Sequence, residues 1–252
     1  MSKNQVSIVV PVYNEEKTLR KVINKLLELS LEKQIIIVDD ASEDKSYEIA
    51  SSFDNGEIQL IRKDSNEGKT AAIKTALQHT KGEIIVIQDA DMEYNPEEIE
   101  HLCKPILEKK ADVVYGSRFR IRQESRVLYF YHYLGNRFLT FLSNLFTNKN
   151  MTDIETCYKA FRHYLIEPMP ITSSGFGFEV EVTANISKTK ARIFETPISY
   201  YGRTYEEGKK ITFWDGVLAL LYILRFNLFS TQDIKNYVEQ ANKQLTNDRE
   251  SV

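Results

Sequence analysis

Ile84-Ile85-Val86-Ile87-Gln88-Asp89-Ala90-Asp91 is the stretch on which the fold turns. Four β-branched apolar residues run without alternation, as in a strand buried on both faces, and the run ends on two acids. Working outward, the same pattern recurs. Val6-Ser7-Ile8-Val9-Val10 stops at Pro11, and Ile35-Ile36-Ile37-Val38 ends at Asp39-Asp40. Asp112-Val113-Val114-Tyr115 ends at Gly116-Ser117-Arg118, and Ile58-Gln59-Leu60-Ile61 is a weaker candidate. Between these runs lie apolar residues at helical spacing: Leu19, Val22, Ile23 and Leu26; Ala71, Ala72, Thr75 and Ala76; Ile99, Leu102 and Ile106. Such alternation predicts a parallel, doubly wound α/β sheet. Ligands of these sheets lie beyond the carboxyl ends of the strands. There the sequence places Tyr13-Asn14-Glu15, Asp39-Asp40, Asp89-Ala90-Asp91 and Ser117-Arg118.

Several classes are excluded. No glycine precedes Gly56, so the first strand–helix turn lacks the dinucleotide-binding glycines and the glycine-rich loop of a nucleotidyltransferase. Gly68-Lys69-Thr70 resembles the end of a P-loop, but Lys63 stands where that loop needs its first glycine. No uncharged run exceeds 11 residues, against the ~20 apolar residues of an ordinary membrane-spanning helix. Cys103 and Cys157 make neither a disulfide framework nor a zinc site, and the four histidines lack ligand spacing. The pI of 5.9 argues against nucleic acid as a partner. The start Met1-Ser2-Lys3-Asn4-Gln5 reads as no signal peptide, so a cytoplasmic location is expected.

The formal charge of −3 is unevenly spread. Residues 1–116 carry 15 basic and 22 acidic groups, whereas residues 117–252 carry 18 and 14. Within 117–150 lie six basic residues, one acid and eight Phe or Tyr. Solvated helix faces give such asymmetry, and so does a pair of sites for opposite charges. In Asp89-Ala90-Asp91, two hard oxygen ligands one residue apart can share a divalent cation that also takes substrate phosphate; Glu93 adds a third oxygen. An Asp-x-Asp also serves as an ordinary loop or cap acid.

The motifs, taken together, resemble the family 2 glycosyltransferases with the GT-A fold, and within them the polyprenyl-phosphate (dolichyl-phosphate) mannosyl- and glucosyltransferases. The matching segments are Val10-Pro11-Val12-Tyr13-Asn14-Glu15-Glu16, Ile37-Val38-Asp39-Asp40-Ala41-Ser42, Asn66-Glu67-Gly68-Lys69, Asp89-Ala90-Asp91 and Gly116-Ser117-Arg118-Phe119. Weaker likeness continues through Asp153–Lys159, Gly175-Phe176-Gly177-Phe178-Glu179 and Tyr200–Tyr205. The resemblance implies a Rossmann-like, mostly parallel sheet flanked by helices. It implies one GT-A domain over 1–212, with a nucleotide-sugar part to about 120 and an acceptor part from about 121, then an amphipathic helix and polar tail over 213–252. By family pattern, Pro11, Tyr13 and Glu15 line the base end, Asp40 faces the nucleoside, and Lys69 and Ala90 flank the nucleotide-sugar. Asp89, Asp91 and Glu93 would hold Mg²⁺ or Mn²⁺ with the diphosphate. Arg203 and Lys209 would sit on a lid, and Arg118 and Arg126 would take an acceptor phosphate. Glu93 stands where many mannosyl-transferring relatives carry glutamine.

The acceptor reading comes from two apolar segments. From Arg126 to Phe146 apolar residues recur at helical spacing, with a break expected near Gly135, and Phe213–Phe229 holds only Asp215 and Arg225 as charges. Such helices lie in a membrane interface, pack in a core, or join a second subunit. The expected reaction is an inverting hexose transfer from UDP-glucose or GDP-mannose to a polyprenyl phosphate, catalysed on the inner membrane face by a peripheral enzyme. A lipid phosphate needs no strong base. A saccharide or other hydroxyl acceptor does, and Asp153 and Glu155 are then the candidates. A silent nucleotide-sugar or membrane-binding protein is the remaining alternative.

Overall fold

The computed structural model describes residues 5–120, 126, 129–204, 206–208 and 212–250, apart from the Phe213 side chain. The chain opens with β1 (Val6–Val12), α1 (Leu19–Leu27), β2 (Lys33–Asp39), α2 (Ser46–Ser51), β3 (Ile58–Arg62), α3 (Lys69–Leu77) and β4 (Ile84–Ile87). A 3₁₀ turn over Pro96–Glu98 leads into α4 (Ile99–Leu107) and β5 (Val113–Ser117). Then follow α5 (Phe130–Thr147), β6 (Lys159–Arg162), α6 (His163–Ile166), α7 (Phe178–Ser187), β7 (Ile193–Pro197), α8 (Phe213–Leu228) and α9 (Gln232–Glu250).

The seven strands form one sheet in the order β3-β2-β1-β4-β6-β5-β7. β1 pairs in parallel with β2 and β4, β2 with β3, and β5 with β7. β6 is antiparallel to both β4 and β5, so the sheet is mostly but not wholly parallel. The strands expected from apolar runs are all present; β1, β2, β4 and β5 are almost wholly buried, while β3 is only half-buried. β4 keeps the bounds of its apolar run, and the others are longer or shifted by one or two residues. β1 continues through Pro11 because β4 ends at Ile87 opposite Val9. Pro11 thus lies where β1 has one neighbour strand, and its missing N–H costs little. The strand order reverses between β1 and β4, which puts a crevice beyond Val12 and Ile87.

α5 runs unbroken through Gly135, contrary to the expected break; open space surrounds that glycine. α8 begins at a Thr212–Asp215 cap in which Asp215 Oδ2 accepts from the Thr212 backbone N–H at 2.7 Å. α9 leaves α8 at a 71° bend, and among the described residues no single helix is long and apolar enough to cross a membrane. The described part of 213–252 packs into the same core as the sheet. Ala219, Ile223 and Phe226 of α8 and Tyr237, Ala241 and Leu245 of α9 are buried in it.

At the end of the sheet away from the crevice, Asp112 holds the pieces together. Its buried carboxylate accepts from the Arg192 backbone at 2.8 Å, Arg192 Nη2 at 2.8 Å and Arg249 Nη2 at 3.0 Å, with Arg162 Nε at 3.4 Å. It therefore ties the entries of β5 and β7, the end of β6 and the last turn of α9. Burial works against its charge, but Arg192 and Arg249 outweigh it and hold the carboxyl below its ordinary value. The clasp's contribution is present above about pH 4 and lost as pH falls through the depressed value. Asp112→Ala strands the guanidiniums and is expected to cost about 3 kcal/mol, read as a lowered urea midpoint; a loss under about 1 kcal/mol would contradict the clasp.

Candidate functional site: an acidic crevice at the strand ends

The loops beyond β1, β2 and β4 carry the expected acids on unusual backbone. Asn14, Ala41 and Met92 have φ of 51°, 58° and 63°, the left-handed region that L side chains seldom adopt. Strain of this kind persists where surrounding contacts hold it and gathers at ligand sites. Here Ser42 Oγ accepts from the Asn14 N–H, and Ser46 Oγ from the Glu15 N–H, which locks the first two loops together.

Asp39 and Asp40 do different work. Asp39 Oδ2 accepts from the Ser42 N–H at 3.3 Å and so closes its own turn. Asp40 accepts from the Gly68 N–H at 2.7 Å and forms an ion pair with Lys63 Nζ at 3.0 Å. It is buried and holds the Asn66–Gly68 loop, with Gly68 at φ +88°, rather than lying open toward a nucleoside. Lys69, first residue of α3, is no solvated helix lysine. Its amine meets Asp89 Oδ1 at 2.9 Å and Glu179 Oε1 at 3.0 Å. Burial opposes its charge, but Asp89 and its other acidic neighbours raise it well above the ordinary lysine value. Pro11 and Tyr13 are half-buried at the rim of the crevice, and Ala90 is buried with its carbonyl accepting from Thr18 Oγ1 at 2.7 Å.

Arg203 reaches back from the loop after β7 into the acids. Its guanidinium meets Asp91 Oδ2 at 2.8 Å, Glu15 Oε2 at 3.2 Å and Glu93 Oε1 at 3.4 Å. Glu93 also accepts from the Arg203 N–H at 2.9 Å and Tyr200 Oη at 2.7 Å. Glu93 is thus a latch for the loop. The expected three-acid metal set of Asp89, Asp91 and Glu93 is not assembled, and no cluster of three or more His, Cys, Asp or Glu shaped for a metal occurs among the described residues. Arg126 holds the same loop from its other side, donating to Glu207 Oε2 at 2.7 Å and the Gly202 carbonyl at 3.2 Å, with its own N–H on the Tyr200 carbonyl. Lys209 lies outside the described residues.

Across the crevice, Arg118 follows β5 and pairs with Asp153 fork to fork, Nε to Oδ2 at 2.7 Å and Nη2 to Oδ1 at 2.8 Å. Nη2 also donates to Asn136 of α5 at 3.3 Å, and the guanidinium lies 5.2 Å from the Tyr200 ring. A phosphate would share Arg118 with Asp153. That pairing also takes both Asp153 oxygens, which leaves Glu155 as the acid poised near neutrality. Burial and then Glu179 push Glu155 up to about 7, and its Oε1 has no hydrogen-bond partner. Glu179 and Tyr200 were given no role by sequence reasoning, although both lie in segments that carry the family likeness; the glycines flanking Phe176 before a helix start were the available signal.

The profile of glycosyl transferase family 2 matches residues 7–169, which span the crevice and Asp153–Lys159. The chain belongs to glycosyltransferase family 2. This family 2 glycosyltransferase is an enzyme of nucleotide-sugar transfer, and its fold is GT-A. It is similar to glucosyl-3-phosphoglycerate synthase from Mycobacterium tuberculosis in complex with Mn²⁺, UDP and glucosyl-3-phosphoglycerate. The two are 17% identical with a TM-score of 0.70, over 91% of this chain and 82% of that one. The same M. tuberculosis enzyme with Mn²⁺ and UDP-glucose matches at 17% identity and a TM-score of 0.68, over 91% and 81% of the two chains. At this identity the likeness shows the fold.

Asp89 and Asp91 of the glycosyltransferase fit a divalent cation as a pair. Burial, Asp89 and Glu93 together push Asp91 up to about 7 against the pull of Arg203. That is a local excess of negative charge that a cation relieves, and two carboxylates are what Mg²⁺ commonly takes beside phosphate and water. Lys69 and Arg203 occupy those oxygens in the structure. A cation bound there with a nucleoside diphosphate requires ionised Asp91, so binding is expected to be about tenfold tighter at pH 8 than at pH 6 and to release a proton. Calorimetry in two buffers of different ionisation enthalpy measures this; a pH-independent affinity with equal heats would contradict it.

Proposed function

We propose that this glycosyltransferase moves a hexose, with inversion, from UDP-glucose or GDP-mannose to a polyprenyl phosphate at the cytoplasmic face of a membrane, as a peripheral enzyme using Mg²⁺ or Mn²⁺. The observation that carries this reading is the exposed apolar face of α5 and α8, which pack on each other. Tyr131 is 82% exposed, Phe141 63%, Leu145 67% and Leu221 54%. A soluble monomer seldom leaves so many large apolar groups on adjacent helices in water, and aromatic-rich amphipathic helices suit a bilayer interface. The other side of α5 meets the acceptor loop. Asn136 accepts from Arg118, Arg137 Nη1 donates to the Thr152 carbonyl at 3.2 Å, and Phe119 packs edge-on to Tyr133. A lipid phosphate entering along α5 would therefore have its chain at the apolar face and its head near Arg118.

The roles follow from charge. A divalent cation would neutralise the departing diphosphate, held by Asp89 and Asp91. Lys69 and Arg203, released from those acids, would turn to the diphosphate, and closure of the Tyr200–Glu207 loop would exclude water. Arg118 would orient the acceptor phosphate, whose oxygen is already ionised and needs no base. Arg126 would support the lid and lie near the entering head group.

Glu155 favours a second reading, in which a hydroxyl acceptor gives its proton to a carboxylate poised at about 7. Purified protein with Mn²⁺ and each donor, offered polyprenyl phosphate in vesicles or 3-phosphoglycerate in solution, separates the two. A radiolabelled glycolipid is expected; product with the hydroxyl acceptor alone would overturn the first reading.

A further inference from the structure

Glu195 is a carboxylate in an unusual place. It lies on β7, the edge strand of the sheet, opposite Tyr115 of β5, and its side chain is only 6% exposed. A buried acid on a strand is costly unless donors surround it. Here they do. Oε1 accepts from the Thr152 N–H at 2.6 Å and the Asp153 N–H at 3.3 Å. Oε2 accepts from the Thr152 hydroxyl at 3.1 Å and pairs with Arg120 Nε at 3.2 Å. Thr152 and Asp153 form one bend, so all of these contacts except that with Arg120 tie β7 to a single point.

That bend carries the acid that governs Arg118. Asp153 Oδ2 accepts from the Arg118 backbone N–H at 3.1 Å as well as from Nε at 2.7 Å, and Oδ1 accepts from Nη2 at 2.8 Å. Main chain and guanidinium are therefore set by the same carboxylate. The Thr152 hydroxyl, having given its proton to Glu195, accepts from Ser117 Oγ at 2.7 Å, and Ser117 Oγ accepts from the Phe119 N–H at 3.2 Å. Residues on both sides of Arg118 are thus held to the same bend. None of the hydrogen bonds among the described residues uses Arg118 Nη1, so the fork that Asp153 fixes leaves one nitrogen to meet an anion. The direction of Nη1 follows from the plane of the Asp153 carboxylate, and that plane follows from the bend. A displacement of about 1 Å at such a group is enough to spoil an oriented phosphate contact.

We propose that Glu195 is the positioning residue of the acceptor arginine, fixing the Thr152-Asp153 bend whose carboxylate aims Arg118 at the acceptor phosphate. The assignment rests on the reading of Arg118 as the group that takes this phosphate.

Steady-state kinetics with Mn²⁺, saturating UDP-glucose or GDP-mannose, and polyprenyl phosphate in vesicles test it. Glu195→Gln sets an amide NH₂ against either the Thr152 N–H or Arg120. It is expected to raise the acceptor KM about tenfold with kcat within about threefold, the mark of lost binding common to ground and transition states. Donor affinity, measured by calorimetry without acceptor, should stay within about twofold of wild type. Arg118→Ala should raise the acceptor KM at least as much, and Glu195→Gln added to it should raise it no further, since both act on one contact. Effects that multiply would overturn the proposal, as would an unchanged acceptor KM in Glu195→Gln or an equal loss of donor affinity. Should Glu195→Gln lower the melting temperature, Thr152→Val is read by the same split. It removes only the hydroxyl between Glu195 and Ser117 and is expected to raise the acceptor KM about threefold. An unchanged acceptor KM in Arg118→Ala would sink the reading of Arg118 and the proposal with it, whereas an effect of Arg118→Ala without one of Glu195→Gln would sink the positioning alone. If 3-phosphoglycerate rather than the lipid accepts the hexose, the same ratios are read with its phosphate; transfer to neither would overturn both.

Discussion

Too much negative charge at one edge of a sheet is the constraint on which this structure depends. Glu15, Asp40, Asp89, Asp91, Glu93 and Glu179 gather beyond the carboxyl ends of the strands, three of them buried and three half-buried. Side-chain cations from distant parts of the chain offset them: Lys63 at Asp40, Lys69 between Asp89 and Glu179, and Arg203 among Glu15, Asp91 and Glu93. Burying such pairs is close to neutral for stability, whereas removing one partner is costly. The arrangement is therefore poised to exchange partners, with substrate phosphate taking the amines and guanidinium, and a cation taking the acids. The left-handed backbone at Asn14, Ala41 and Met92 is held in the same place by the same contacts.

The opposite end of the sheet has no such surplus. Asp112 there meets Arg162, Arg192 and Arg249, and positive groups exceed the acid they surround. That clasp fixes β5, β6, β7 and α9, and so the loops that carry Arg118, Asp153 and Arg203. Rigid anchorage at one end lets partners exchange at the other without loosening the fold. The asymmetry of charge along the chain is thus an asymmetry in space. The acidic half supplies Glu15, Asp40, Asp89, Asp91 and Glu93, and the basic, aromatic half supplies Arg118, Arg126, Arg203 and the apolar face of α5 and α8.

Most strands could be read because a doubly buried strand leaves an uninterrupted apolar run, and the acids at their ends could be read with them. β6 could not. Lys159-Ala160-Phe161-Arg162 carries a cation at each end, and only the fold shows Lys159 buried against two carbonyls and 5.0 Å from the Tyr115 ring. The site was legible as a set of residue types rather than as pairs. Glu93 passes for a third metal oxygen until Arg203 and Tyr200, more than a hundred residues on, are seen to hold it. Arg126 suits an acceptor phosphate until Glu207 is found on it, and Asp40 suits a nucleoside until the Gly68 amide takes its oxygen. Periodicity likewise gave α5 an apolar face without saying what covers it.

The central claim is that Asp89 and Asp91 trade Lys69 and Arg203 for a cation and a diphosphate. A crystal structure with Mn²⁺ and the donor nucleotide-sugar tests it most directly. The account predicts an anomalous manganese peak at Asp89-Ala90-Asp91, with Arg203 moved from Asp91 onto the diphosphate. A nucleotide bound elsewhere, or one bound while Arg203 still holds Asp91 and no manganese is present, would contradict it.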